Sequence, residues 1–191
     1  MSSRRSSSKR AGPSAWLAAI AIVAGLFWLG DRQPQLRGRL EAALQDLLRP
    51  EDADGRLSGV PRVVDGDTLH IGDQRIRLFG IDAPEGGQTC RIGRRDWACG
   101  EDATAELRQR VGQRAVTCEQ MDIDRYSRVV AECWAGGENL NAWMVRNGWA
   151  LAYRQYGGSR YDADELVAQA ARRGVWASKF IAPWDWRRER R

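Results

Sequence analysis

Apolar and polar positions divide this chain into three regimes. From Ala15 to Gly30 the residues are apolar without a break, and the twenty from Ala11 to Gly30 carry no charge. At about 1.5 Å per residue, that much helix crosses a bilayer. Trp16 and Trp28 lie near its ends, where indoles favour the membrane interface. Over residues 31–57, Leu36, Leu40, Leu44, Leu47 and Leu48 recur at intervals of three or four. This spacing predicts a short amphipathic helix ending before Pro50, and Glu51–Gly55 reads as a polar linker.

Beyond residue 58 the periods shorten. Val60–Val64 and Thr68–Ile71 are β-like runs around an Asp65–Gly66–Asp67 turn, and Gly72–Asp73 separates the second from Gln74–Ile81. Ala103–Val111 reads as a helix, with Glu101 and Asp102 favourably placed at its start. Ala115–Glu119 and Arg128–Trp134 form a second strand pair around Asp122–Ser127. Leu140–Arg146 is a helix stopped by Asn147–Gly148. Asp162–Arg173 is another, with Ala163, Leu166, Val167 and Ala170 on one face and Gly174 ending it. Short strands with interposed helices fit a five-stranded Greek-key barrel. The chain shows no internal repeat.

Charge refines the N-terminal picture. Residues 1–57 hold nine basic and six acidic side chains, and the remainder 21 and 19, so net charge gives little support to nucleic-acid binding. Residues 1–14 form a basic, Ser-rich segment of disordered composition. Three readings of residues 15–30 stay open: an uncleaved anchor, a cleaved signal peptide, or a buried soluble helix. Phe27–Trp28–Leu29 spoils the small-residue site that cleavage needs, which favours the anchor. Either membrane reading puts the positive end in the cytoplasm and the domain outside it.

Asp67 and Asp82 each end a β-like run, and Glu85 follows three residues later. Hard divalent cations take carboxylate and carbonyl oxygens, and phosphates take arginine. Carboxylates beside Arg75 and Arg77 therefore point to metal-assisted chemistry on a phosphodiester. An all-oxygen site suits calcium better than zinc. His70 is the only histidine and no Cys-x-x-Cys pair exists, which disfavours a zinc site. The four cysteines allow three pairings. Cys118 and Cys133 lie almost equidistant from the predicted hairpin centre at Arg125–Tyr126, consistent with a cross-strand disulfide. Cys90 and Cys99 then remain to close the loop over 86–97.

Several segments, in order, resemble the staphylococcal-nuclease-like (thermonuclease) family. They are Asp65–Gly66–Asp67–Thr68, Arg77 with Asp82–Ala83–Pro84–Glu85, Asp124–Arg125–Tyr126–Ser127–Arg128, Leu140–Ala150, and Gly174–Val175–Trp176. The resemblance covers residues 58–181 and leaves 182–191 as a Trp- and Arg-rich C-terminal tail. It implies a mainly β fold: an OB-fold barrel flanked by about three α-helices, here preceded by the transmembrane or signal-anchor helix. It also implies a calcium-dependent nuclease acting on DNA or RNA with little sequence preference, its catalytic domain monomeric. Carried over residue by residue, Asp67, Asp82 and the Ala83 carbonyl hold calcium, with Ala83 standing where the family has Thr. Glu85 is the general base or water-orienting group, and Arg77 and Arg128 act on the scissile phosphate. Arg125 and Tyr126 contact phosphate, and Tyr153 lies beside the base pocket. A second family tyrosine is out of step, with Gln155 in its place and Tyr156 following. Ser127 replaces a family glycine, a residue that tolerates positive φ far better.

Three functions compete: a nuclease anchored to the membrane through residues 15–30 (or secreted after signal cleavage), a catalytically inactive nucleic-acid-binding barrel, and an envelope interaction protein acting through residues 1–57. The retained Asp67, Arg77, Asp82, Glu85 and Arg128 favour the first. In the tail, Trp184 and Trp186 are expected to pack on the domain, leaving Arg187, Arg188, Arg190 and Arg191 to meet phosphates.

Overall fold

The computed structural model describes residues 51–52 and 56–190. The basic segment at 1–14, the apolar run at 15–30 and nearly all of the spacer at 31–57 lie outside the described residues. Among the described residues no helix is long and apolar enough to cross a membrane.

Twelve strands are described. The principal sheet contains β1 (Glu51–Asp52), β2 (Arg56–Gly59), β3 (Arg62–Asp65), β4 (Thr68–Ile71) and β5 (Gln74–Leu78). Two small pairs use β6 (Ile81–Asp82), β7 (Cys90–Ile92) and β8 (Arg95–Trp97). The principal sheet is completed by β9 (Val116–Ile123), β10 (Val129–Ala135) and β11 (Glu138–Asn139), and β12 (Leu151–Ala152) pairs with β6. From β2 the sheet order is β2-β9-β10-β5-β4-β3, so it begins and ends on two halves of one segment bent at Val60–Pro61. Only β5 and β10 pair in parallel within it. The result is a mixed sheet curled into a half-barrel, with the strand order of an OB-like fold. Its first strand takes in Arg56 and Leu57, and Leu57 is buried in the core. Antiparallel pairing sets Cys118 opposite Cys133, and the two are joined by a disulfide.

Four α-helices are described, against about three expected: α1 (Cys99–Val111), α2 (Leu140–Arg146), α3 (Asp162–Ala170) and α4 (Pro183–Glu189). In α1, Cys99, Ala103, Leu107 and Val111 recur every four residues on one buried face, of which Ala103, Leu107 and Val111 enter the barrel core and Cys99 a second cluster with Cys90, Leu151 and Val175. Cys99 bonds to Cys90, fastening the β7–β8 hairpin to the start of α1. The Asn139 side chain caps α2 by accepting from the Ala142 N–H. Fully buried Asn141 locks α2 to the sheet: its amide donates to the Phe79 and Ala131 carbonyls and its Oδ1 accepts from the Cys133 N–H.

Helix α3 corrects the sequence reading. It stops at Ala170 rather than Arg173, and Arg172 turns into positive φ. The expected apolar face is not the buried one: Leu166 and Val167 are exposed, whereas Glu165 and Ala168 are buried. Polar satisfaction decides the outcome, because Glu165 accepts from the Ala152 N–H at 2.9 Å and from Arg154 at 2.7 Å. In the tail, residues 183–189 form a helix that docks on the domain through Trp184, as expected, whereas Trp186 lies outside that cluster.

Candidate active site

The β3–β4 turn starts the site. The Asp65 carboxylate accepts from the Asp67 N–H at 3.0 Å, an Asx-type turn that fixes Asp67. Burial, and then repulsion from Asp67, push the Asp65 carboxyl up to about 6. A Cβ on Gly66 would lie 2.7 Å from the Ala83 Cβ, so only glycine lets this turn approach the Asp82–Glu85 loop so closely.

Register does the rest. Thr68 pairs with Arg77 across β4 and β5, which places Asp67 beside the Arg77 side chain. Arg77 donates to Asp67 and to Asp82, both at 2.6 Å. Asp67 is completed by the Ala83 N–H at 3.0 Å and the Thr68 hydroxyl at 3.1 Å. The Asp82 side chain is fully buried, and that burial raises its pKa, with Arg187 next, opposing the rise. Burial alone would lower the Arg77 pKa, but Asp67 and then Asp82 hold it above the ordinary arginine value.

Glu85 is positioned from below. A Cβ on Gly100 would stand 1.7 Å from the Glu85 carbonyl, so glycine at the start of α1 lets this loop lie against the helix. Buried Gln88 ties the loop together. Its N–H donates to the Glu85 carbonyl at 2.7 Å, its side-chain oxygen accepts from the Glu85 N–H, and its amide reaches the Ile181 carbonyl at 2.7 Å. Nothing in the sequence pattern marks Gln88; only tertiary burial gives it a role.

Arg128 is organised by Asp124 at the β9–β10 connection. Asp124 accepts from the Tyr126 and Arg128 N–H groups and from the Arg128 guanidinium at 2.7 Å. Burial works against the charged form, but these bonds, the Arg128 N–H foremost, hold its carboxyl below the usual range. Ser127 adopts φ of 59°, the left-handed conformation that the family glycine would favour. Arg125 and Arg128 both lie over the exposed Tyr126 ring. Arg75, exposed on β5, donates to the Tyr126 carbonyl at 2.6 Å and ties the loop to the sheet. His70 accepts from Arg62 through Nδ1 at 2.8 Å, an exposed contact between β3 and β4 away from the carboxylates.

Tyr153 reaches the site because β12 pairs with β6: Leu151 faces Asp82, and the Tyr153 N–H donates to the Gly80 carbonyl. Tyr156 lies 4.9 Å from Tyr153, ring to ring. The tail holds the main departure from expectation. Arg187 does not stand free: it donates to Asp82 at 2.7 and 3.0 Å and to Glu85 at 2.5 Å. Trp184 stacks on Tyr153 with centroids 5.2 Å apart and planes 4° from parallel. A cleft of about 510 Å³ lies here, with Arg125, Tyr153, Trp184 and Arg188 in its walls.

Of the expected residues, Asp67, Arg77, Asp82 and Glu85 come together, with Arg77 bridging Asp82 to Asp67; Arg125 and Tyr153 line the adjoining cleft, and Tyr126 and Arg128 are held at the β9–β10 connection. The Staphylococcal nuclease homologue family matches residues 75–178. The chain belongs to the staphylococcal nuclease family. It is 36% identical to Protein ParB of Escherichia coli, over 79% of this chain and 90% of that one. It is 36% identical to an uncharacterized endonuclease of Escherichia coli, over 71% and 86% of the two chains. With a micrococcal nuclease of Shigella flexneri the identity is 35%, over 68% and 79%.

Among the described residues, no group of three or more His, Cys, Asp or Glu side chains encloses a position for a metal ion. Here the carboxylates turn onto guanidiniums instead. The donor set nevertheless fits a hard cation. Asp67, Asp82 and Glu85 offer oxygen only, and the Arg187 guanidinium between Asp82 and Glu85 marks a place that accepts positive charge.

Proposed function

We propose that this protein is a calcium-dependent nuclease that hydrolyses DNA or RNA phosphodiesters with little sequence preference. The observation that carries the reading is the Arg77 bridge between Asp67 and Asp82, with Glu85 sharing a cation with Asp82. Asp67, Asp82 and the Ala83 carbonyl would hold calcium, which when bound supplies charge neutralisation at the phosphoryl oxygens. Arg77 presents a planar fork that stabilises the extra negative charge of a pentacoordinate transition state better than an ammonium would. Arg128, oriented by Asp124, is the second such group. Glu85 accepts the proton of the attacking water. Arg125 and Tyr126 hold a neighbouring phosphate, and Tyr153 offers a ring to a base. The relatives named as nucleases and endonucleases support this chemistry.

Different observations support a location. Two disulfides suit an oxidising compartment, and residues 15–30 suit a membrane anchor, which together favour a catalytic domain outside the cytoplasm, periplasmic or extracellular. Protease given access to the outer face of the cytoplasmic membrane should degrade the domain, and protection would overturn this placement.

Single-turnover cleavage of a labelled oligonucleotide tests the mechanism. Cleavage should require calcium and stop with chelator. Glu85→Gln should slow it by about 10²-fold or more while leaving oligonucleotide affinity nearly unchanged. A protein that binds the oligonucleotide and never cleaves it would be the inactive binding barrel instead.

A further inference from the structure

Helix α4 carries two contacts that the proposed reaction does not use. Arg187 occupies both oxygens of Asp82 and one of Glu85, while three residues earlier Trp184 covers one face of Tyr153. A guanidinium clamped on Asp82 through two nitrogens and a divalent cation ligated by Asp82 are alternative occupants of the same oxygens. An indole and a nucleobase are alternative occupants of the same ring face. The two residues thus cover the cation position and the base platform together, and one seven-residue helix supplies both.

We propose that α4 is a cap built into the chain, in which Arg187 stands in for the cation and Trp184 for the base. Divalent cation and substrate then bind by displacing it. This rests on the calcium reading given above. The element is built to leave without disturbing the barrel. Its attachments end just before it: Lys179 exchanges two backbone bonds of 2.8 Å with Arg91, and the Ile181 carbonyl is held by Gln88. Beyond Pro183, α4 is held by the Trp184 stack, by the packing of Trp184 on the cluster of Cys90, Cys99, Leu151 and Val175, and by the Arg187 ion pairs. These pairs are strong in place. Burial alone would lower the Arg187 pKa, yet the bonds to Asp82 and then Glu85 keep it above the ordinary arginine value. A cation that enters must break them, so apparent calcium affinity is reduced by the fraction of molecules that are uncapped.

The test uses the full chain and reads calcium binding directly, without nucleic acid. Calorimetric titration should show Arg187→Gln binding calcium about tenfold more tightly than wild type, the ratio expected if about a tenth of the metal-free protein is uncapped. Trp184→Ala, which leaves every carboxylate in place, should shift affinity in the same direction. Hydrogen exchange of residues 183–190 should quicken at saturating calcium. Equal or weaker calcium binding in Arg187→Gln would overturn the cap, leaving the nuclease reading intact and making Arg187 a substrate contact instead. Unchanged exchange in 183–190 at saturation would also overturn it. If neither wild type nor Arg187→Gln binds calcium, the calcium reading falls and the cap with it.

Discussion

Arg77 holds the most consequential charge in the site, and replacing it with methionine tests that directly. Methionine keeps much of the length and removes both 2.6 Å bonds, to Asp67 and to Asp82. Removing one member of a buried ion pair commonly costs about 3–5 kcal/mol, because a charge stays behind without its partner. The structure argues for a value at or just below the bottom of that range. Asp82 keeps Arg187, Asp67 keeps the Thr68 hydroxyl and the Ala83 N–H, and the Arg77 side chain is itself 18% exposed. We expect a loss of about 2–3 kcal/mol in chelator, measured by urea denaturation with an unchanged slope. A second substitution separates lost attraction from stranded charge. Asp67→Asn made in the Arg77→Met background should recover about half of the loss, since it removes the carboxylate left unpaired. Calcium should also shrink the Arg77→Met penalty, because carboxylates freed of Arg77 bind the cation more tightly and the tighter binder gains more stability from it. A variant within about 0.5 kcal/mol of wild type would refute the account, since that is the scatter of an ordinary surface substitution. So would a double variant less stable than Arg77→Met alone.

Ser127→Gly should stabilise the protein by about 0.5 kcal/mol in the same assay, the relief of a left-handed residue less the added chain entropy of glycine. Reducing Cys118–Cys133 should cost about 3 kcal/mol and Cys90–Cys99 about 2.5, from sequence separations of 15 and 9, and thiol titration before reduction should find none in 56–190. Asp124, whose folded pKa lies below the ordinary value, contributes stability present above the unfolded carboxylate pKa and lost as pH falls through the folded one. Stability measured from about pH 6 to about pH 3 should therefore fall less in Asp124→Asn than in wild type, and parallel curves would refute that role.

The motifs that carry chemistry were legible because they are local. Asp65–Gly66–Asp67 and Asp82–Glu85 lie at the ends of short apolar runs, and register in β4 and β5 follows from the alternation of buried Leu69, Ile71, Ile76 and Leu78. The Cys118–Cys133 pairing was legible for the same reason, as the two cysteines flank one hairpin symmetrically. Contacts between distant segments were not. Glu165 turned α3 over by satisfying the Ala152 N–H, a need that helical spacing of Leu166 and Val167 cannot reveal. Gln88 and Arg187 meet partners 93 and 105 residues away, and no period in a sequence encodes that separation. The tail arginines read as phosphate contacts because a basic run alone names no partner.

Charge balance in the site gives the cap a consequence for substrate as well as for metal. With α4 in place, Asp67, Asp82 and Glu85 face Arg77 and Arg187, three negative groups against two positive. A phosphodiester brings its own negative charge and gains more in the transition state, so the capped site is electrostatically the wrong one for it. Replacing the single charge of Arg187 by a divalent cation removes that excess, and the departure of Trp184 frees the Tyr153 ring in the same motion. Metal and nucleic acid therefore favour the same uncapped form, and each must raise the affinity for the other by an equal factor. Direct ligation of phosphate by metal would give coupling of this sign too, but it would survive the loss of Arg187. Coupling relayed through α4 would not: in Arg187→Gln the calcium dependence of oligonucleotide affinity should shrink, and only the part owed to direct contact should remain.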